Sequence, residues 1–207
     1  MKNLFFPTIV ISLSFVFHFF CSTAQAYYLF HDTGDLLEEN QLRLSLHPQF
    51  TSGSNLVGIL DTPWGNDSNI RYYLGFGDVS MQIGAQYKWV PYPDYQDQPA
   101  IGVSFGPMIA RKHGDTEVAL KSQTFISKKF SQPFADFNTY AALPLALSFY
   151  ADQSDFPFQL IIGSNMKTHH LKGIEFSLEG GLNLHASFGY VSLGFIYFID
   201  NKERFLE

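Results

Sequence analysis

The chain has one cysteine in 207 residues, Cys21, and it lies in a segment that reads as removable, so neither disulfides nor a thiolate metal site can staple the fold. Charge is scarce as well: 15% of the residues are charged, 13 of them basic and 19 acidic. A mildly acidic chain without a basic stripe is unsuited to nucleic acid. No stretch carries a long apolar stripe at helical spacing, and no Ser/Pro/Gly-rich linker divides the chain, which points to one all-β domain. Phosphate-cradling glycine motifs are missing too; "GFGD" (75–78) reads as a hairpin turn.

What is present begins with a positive residue, Lys2, then an apolar run from Leu4 to Phe20, then Ala24-Gln25-Ala26. That is the order of a secretory signal peptide, with cleavage expected after Ala26. A membrane anchor would call for a longer run followed by stop-transfer charges. A lipoprotein signal would need a small residue before Cys21, where Phe20 stands. The expected organisation is a signal peptide over 1–26 and one domain over 27–207.

Within that domain, "VSMQIGAQYKWV" (79–90) sets Val79, Met81, Ile83, Ala85, Tyr87 and Trp89 against Ser80, Gln82, Gly84, Gln86 and Lys88. "GIEFSLEGGLNLH" (173–185) repeats the pattern, with Glu175, Ser177, Glu179, Asn183 and His185 on its polar side. Period-two alternation over such lengths predicts strands with two chemically different faces. Segments 40–50, 69–76, 100–110 and 158–166 are weaker versions, and Gly/Asn/Asp/Ser/Pro clusters separate them. The count is about ten strands in an up-and-down meander, with 8 to 12 compatible. "GDLLEEN" (34–40) reads as a solvated leader to the first strand. Pro107 and Pro144 fall inside strand-like segments and are expected at bulges or strand ends, because proline removes a ladder donor.

Soluble and membrane barrels both alternate, so the outward face must be decided otherwise. The polar faces are built mostly of Ser, Gly, Gln and Asn rather than the dense Lys and Glu of a soluble exterior. Tyr87, Trp89, Tyr92 and Tyr95 gather at one strand end, as an aromatic girdle at a bilayer interface does. The two cleanest strands also have the length that a tilted membrane strand requires. The expected fold is an antiparallel transmembrane β-barrel with its apolar side toward outer-membrane lipid.

"SLGFIYFI" (192–199) resembles the C-terminal sorting signal of bacterial outer-membrane barrels, through Ser192, Gly194, Tyr197 and Ile199. In that family the signal is read by the barrel-assembly machinery, which implies the same partner here; "DNKERFLE" extends past the point where most members end. The "LLEEN" leader and the "WVPYPDYQDQPAIG" turn resemble small outer-membrane β-barrel proteins of Gram-negative bacteria, which implies a fold and a location but supplies no activity.

The best enzymatic candidate is His185-Ala186-Ser187, since outer-membrane lipid A 3-O-deacylases carry His and Ser two apart on one strand face, where imidazole can activate a hydroxyl. Phe188 replaces the Asn of that family, and no suitably spaced Glu follows. His169-His170, with Lys167 and Lys172 nearby, reads as a solvated turn because metal sites need three or four converging ligands. Asp61, Asp67, Asp94 and Asp97 have no reason in sequence to converge. No catalytic, cofactor or metal residues are therefore assigned.

Two function classes remain: a non-enzymatic outer-membrane barrel, structural or weakly transporting, and a secreted periplasmic barrel holding an apolar ligand. A lipid A-modifying enzyme is a minor third. The proposed lumen network comprises Arg43, Arg71, Lys88, Lys121, Glu175, Glu179 and His185, with Arg43 expected to reach Glu175 or Glu179 across the closing seam.

Overall fold

The computed structural model describes residues 32–200 apart from 52, 79, 80, 113, 114, 151, 152 and 172. The expected signal peptide, the tail 201–207, Val79, Ser80 and Lys172 lie outside the described residues. Strands β1 (Gln41–Phe50), β2 (Ser54–Pro63), β3 (Ser68–Gly77), β4 (Met81–Tyr92), β5 (Ala100–Lys112) and β6 (Asp115–Ser131) follow one another through short turns. The rest are β7 (Ala135–Tyr150), the three-residue β8 (Gln153–Asp155), β9 (Phe158–Thr168), β10 (Ile174–His185) and β11 (Tyr190–Asp200). All pairings are antiparallel; β1 pairs with β11, and β6 with β7, so ten long strands close into a barrel while β8 only lengthens the β7 edge. Closure leaves no long unpaired edge.

The alternation read from the sequence maps onto the two faces of the wall. On β4, Ile83 is 50% exposed and the adjacent Gln82 only 2%. Gln86 and Lys88 are likewise buried while Met81 and Trp89 face outward. This polarity inverts that of a soluble barrel. Leu44, Leu46, Phe105, Ile109, Leu147 and Phe195 stand on the outside, while Gln49, Asn69, Gln123 and Ser192 lie within. Trp64, Trp89, Tyr92, Tyr95 and Phe134 ring the end that carries β1's start and β11's finish. Trp89 Nε1 donates to Asp67 Oδ2 at 2.8 Å there, which suits an indole with one polar tip at an apolar boundary.

Not every inner position is polar. Val57, Ile59, Tyr73, Met108, Ala119 and Ile161 belong to a packed apolar cluster inside the barrel. The β2 segment therefore shows no alternation in sequence, because both of its faces are apolar over Leu56–Leu60.

Pro107 and Pro144 sit within continuous strands rather than at bulges or ends. On its β6 side Pro107 pairs opposite Leu120 in unbroken register, while the β4–β5 ladder skips from Gly84↔Met108 to Tyr87↔Phe105. Pro144 pairs opposite Gln123, while β7–β9 skips from Ala142↔Ile161 to Leu145↔Phe158. Each proline turns its missing N–H toward the gapped ladder, so a single bond is given up without breaking the strand.

Candidate functional site

The lumen is organised around residues that register brings side by side. Arg43, Asp61, Arg71 and Gln86 form one row across β1 to β4, each directly opposite the next. Arg43 Nε donates to Asp61 Oδ2 at 2.7 Å and Arg71 Nε to Asp61 Oδ1 at 2.7 Å. All three side chains are essentially sealed from bulk solvent. One carboxylate thus bridges two guanidiniums, the geometry in which an Arg fork is most effective.

A second carboxylate comes from outside the strands. Residues 32–37 enter the bore, and Asp32 and Thr33 are fully buried. Asp32 Oδ1 lies 3.2 Å from Lys88 Nζ and 3.6 Å from an Arg71 terminal nitrogen. Gly34 N–H donates to Ser127 Oγ at 2.7 Å, Lys88 Nζ to the Asp35 carbonyl at 2.8 Å, and Leu37 N–H to Asn69 Oδ1 at 3.3 Å. Asp35 further accepts from Asn138 at 2.6 Å and pairs with Lys129 at 2.7 Å. Gly34 permits the approach, since a Cβ there would fall 2.2 Å from that of Ala100. Residues 32–37 are thus an internal plug, and of the leader expected to be solvated only Glu38, Glu39 and Asn40 face outward into solvent: the carboxylates of Asp32 and Asp35 complete ion pairs that the wall alone leaves short of negative charge.

Across the bore, Glu179 on β10 accepts from Tyr140 Oη on β7 and from Tyr190 Oη on β11, the latter at 2.6 Å. Gly163 and Gly181 make room for these rings; a Cβ at Gly181 would come within 2.1 Å of Tyr190. Lys121 Nζ lies 3.3 Å from Tyr73 Oη, and 4.9 Å from that ring's centroid. Ser148 donates to Glu117.

Of the residues proposed for the lumen, Arg43, Arg71, Lys88, Lys121 and Glu179 are buried inside. Arg43 does not cross the seam, because Asp61 stands directly opposite it on the adjacent strand, whereas Glu179 is held by two tyrosines. Glu175 is only half-buried and lines a polar cavity of about 220 Å³ at the terminal mouth with Asp35, Lys129 and Lys167. His185 does not belong to the set: β10 is irregular between Asn183 and His185, and the imidazole is exposed at the strand end. Ala186 then takes φ +45°, so Ser187 is fully buried in the turn while His185 faces out, and the two do not share a strand face.

Asp61 is inside, Asp67 serves Trp89, and Asp94 pairs with Lys128 at 2.6 Å on the rim, so the aspartates do not converge. Partial burial opposes ionisation of Asp94, but the hydrogen bond from Lys128 prevails and holds its carboxyl below the ordinary range. His169 lies 3.5 Å from Asp136, both well exposed. Among the described residues no three His, Cys, Asp or Glu side chains are grouped as metal ligands.

Ser192 and Gly194 of the sorting-like segment face inward on β11, and Tyr197 faces outward. Ser192 Oγ donates to the Pro48 carbonyl at 3.0 Å, and a Cβ on Gly194 would fall 2.4 Å from the His47 ring, so both positions serve the β1–β11 seam.

Neither a search of protein-family models nor one of the curated proteins finds a match. Among solved structures, the chain is similar to the COG4313 outer membrane channel from Pseudomonas putida F1, with TM-score 0.52 and 8% identity over 83% of this chain and 100% of that one. The likeness is one of fold, a closed antiparallel β-barrel of ten long strands. The KdgM porin also matches, with TM-score 0.39 and 10% identity over 75% of this chain and 98% of that one.

Proposed function

We propose that this protein is a non-enzymatic barrel of the Gram-negative outer membrane, structural or weakly transporting, with a bore filled by its own side chains and leader. The single observation that carries this reading is the inversion of polarity: leucines and aromatics face outward over the whole wall, while Arg43, Asp61, Arg71 and Lys88 are sealed within it. Water would not tolerate such an exterior, whereas a lipid annulus requires it. An apolar ligand is disfavoured as cargo, because the inner apolar cluster is already packed and the remaining lining is charged and amide-rich. On this reading the β11 segment around Ser192, Gly194, Tyr197 and Ile199 is the element presented to the assembly machinery.

The test is fractionation with gel mobility. The protein is expected in the detergent-extracted envelope, migrating differently before and after heating, and showing little or no steady conductance in planar bilayers. Release as a soluble periplasmic protein would overturn the location, and a large stable channel would overturn the filled bore.

A further inference from the structure

Around the plug the wall offers more hydrogen-bonding capacity than the plug uses. Lys88, Ser104 and Gln123 lie in one row across β4, β5 and β6, with Gln86 two residues from Lys88 on the same inner face. Gln86, Ser104 and Gln123 are at most 2% exposed, and neither the amide atoms of the two glutamines nor the Ser104 hydroxyl has a protein partner. Buried polar groups of this kind ordinarily find a partner. Here they border the two cations, Lys88 and Arg71, to which Asp32 is bound. Asp35 in turn sits at the wall of the cavity that opens toward the terminal mouth, so the lower part of the leader borders space from which a competing solute can approach.

We propose that Lys88, Arg71, Gln86, Ser104 and Gln123 form a binding site for small carboxylate anions, and that Asp32 occupies it as a tethered stand-in until the leader withdraws. With the leader out, Arg43, Arg71 and Lys88 face Asp61 as their nearest carboxylate, and the local excess of positive charge makes the bore prefer anions. The leader is held by short polar contacts to side chains, and Asp32–Leu37 belongs to no strand, so its release breaks no ladder of the wall.

This rests on the membrane-barrel reading, and the experiment separates the two. Four proteins are refolded and checked by the heat-dependent gel shift: the full mature chain, a chain whose mature start is moved to Glu38, that shortened chain carrying Lys88→Gln, and the full chain carrying Asp32→Asn and Asp35→Asn. Conductance is measured in planar bilayers under a potassium chloride gradient and again with potassium acetate. The shortened chain is expected to conduct steadily, with a reversal potential favouring the anion in both salts, and Lys88→Gln in that background to reduce the preference. A synthetic peptide of residues 32–40, added from the terminal side, is expected to block it, and the same peptide with both aspartates changed to asparagine is not. The double variant is expected to raise open probability by roughly tenfold or more over the full chain.

A folded, inserted but silent shortened chain would overturn the plug, and cation preference would overturn the anion site. Should the shortened chain fail to fold, an unchanged open probability in the double variant overturns the proposal. Failure of the unmodified protein to insert strikes instead at the membrane-barrel reading.

Discussion

Changing Asp61 to asparagine removes the negative charge that two buried guanidiniums share while preserving side-chain shape. The carboxylate accepts from Arg43 Nε at 2.7 Å, and from Arg71 at 2.7 and 3.3 Å. Arg43 is 2% exposed and has Asp61 as its salt-bridge partner, whereas Arg71 keeps Asp32 at 3.6 Å. Taking one partner from a buried pair commonly costs about 3–5 kcal/mol, mainly because the remaining charge stays desolvated. Asparagine retains one oxygen that can still accept from a guanidinium, which places Asp61→Asn near ~3 kcal/mol and Asp61→Ala nearer ~5 kcal/mol. With a urea dependence of about 2–3 kcal/mol per molar, the asparagine variant shifts the unfolding midpoint down by roughly 1–1.5 M. Tryptophan fluorescence and the gel shift of the refolded barrel both read this. The rim pair provides the control: Asp94→Asn beside Lys128 should cost no more than about 1 kcal/mol, since exposed pairs contribute little. A midpoint for Asp61→Asn indistinguishable from that of Asp94→Asn would refute the claim that the lumen is sealed and electrostatically closed.

Ile83→Arg places a charge on the lipid face near mid-strand, where arginine typically costs about 2–4 kcal/mol, so its refolding yield should fall well below that of Gln82→Arg on the adjacent inner position; equal yields would contradict the assigned faces. Gly34→Val should expel the leader by collision with Ala100, seen as new protease cleavage within residues 32–40 of an otherwise intact barrel; continued protection would count against the plug. Tyr197→Ala combined with Ile199→Ala should lower envelope accumulation and send the chain to the periplasm or to degradation, and normal envelope levels would remove the assembly-signal reading. N-terminal sequencing of the mature protein should start at Tyr27, and recovery of Met1 would exclude cleavage.

The wall is readable from sequence because polarity alternates with period two wherever an apolar outer face backs onto a polar bore, as on β4 and β10. It was obscure wherever the bore is lined by apolar side chains: Val57 and Ile59 make β2 apolar on both sides, and Ala142, Pro144 and Ala146 do the same on β7. The partners of the inner cations were obscure for a different reason. Direct opposition of Arg43 and Asp61 depends on β1–β2 register, which the hydrophobic pattern sets only to within two residues. The leader carries no periodicity at all, yet one signal is present: the four inward cations Arg43, Arg71, Lys88 and Lys121 outnumber Glu175 and Glu179, the two carboxylates that alternation sets on inner faces. Balance in a buried interior demands more negative charge, and Asp32, Asp61 and Glu117 supply it.

The strands are unequal in length around the barrel: β1, β2 and β3 have 10 residues each, β6 has 17 and β7 has 16. Outward-facing apolar side chains run from Leu42 to Phe50 on β1 and from Val118 to Ile126 on β6, where Lys128 then takes the same outer face. At about 3.3 Å per residue and a tilt near 45°, both spans are roughly 19 Å tall. The added length of β6 therefore lies beyond the apolar span and does not heighten it. On the proposed membrane reading one bilayer thickness serves both flanks, and β6 carries the wall past the lipid to the rim where Lys128 meets Asp94.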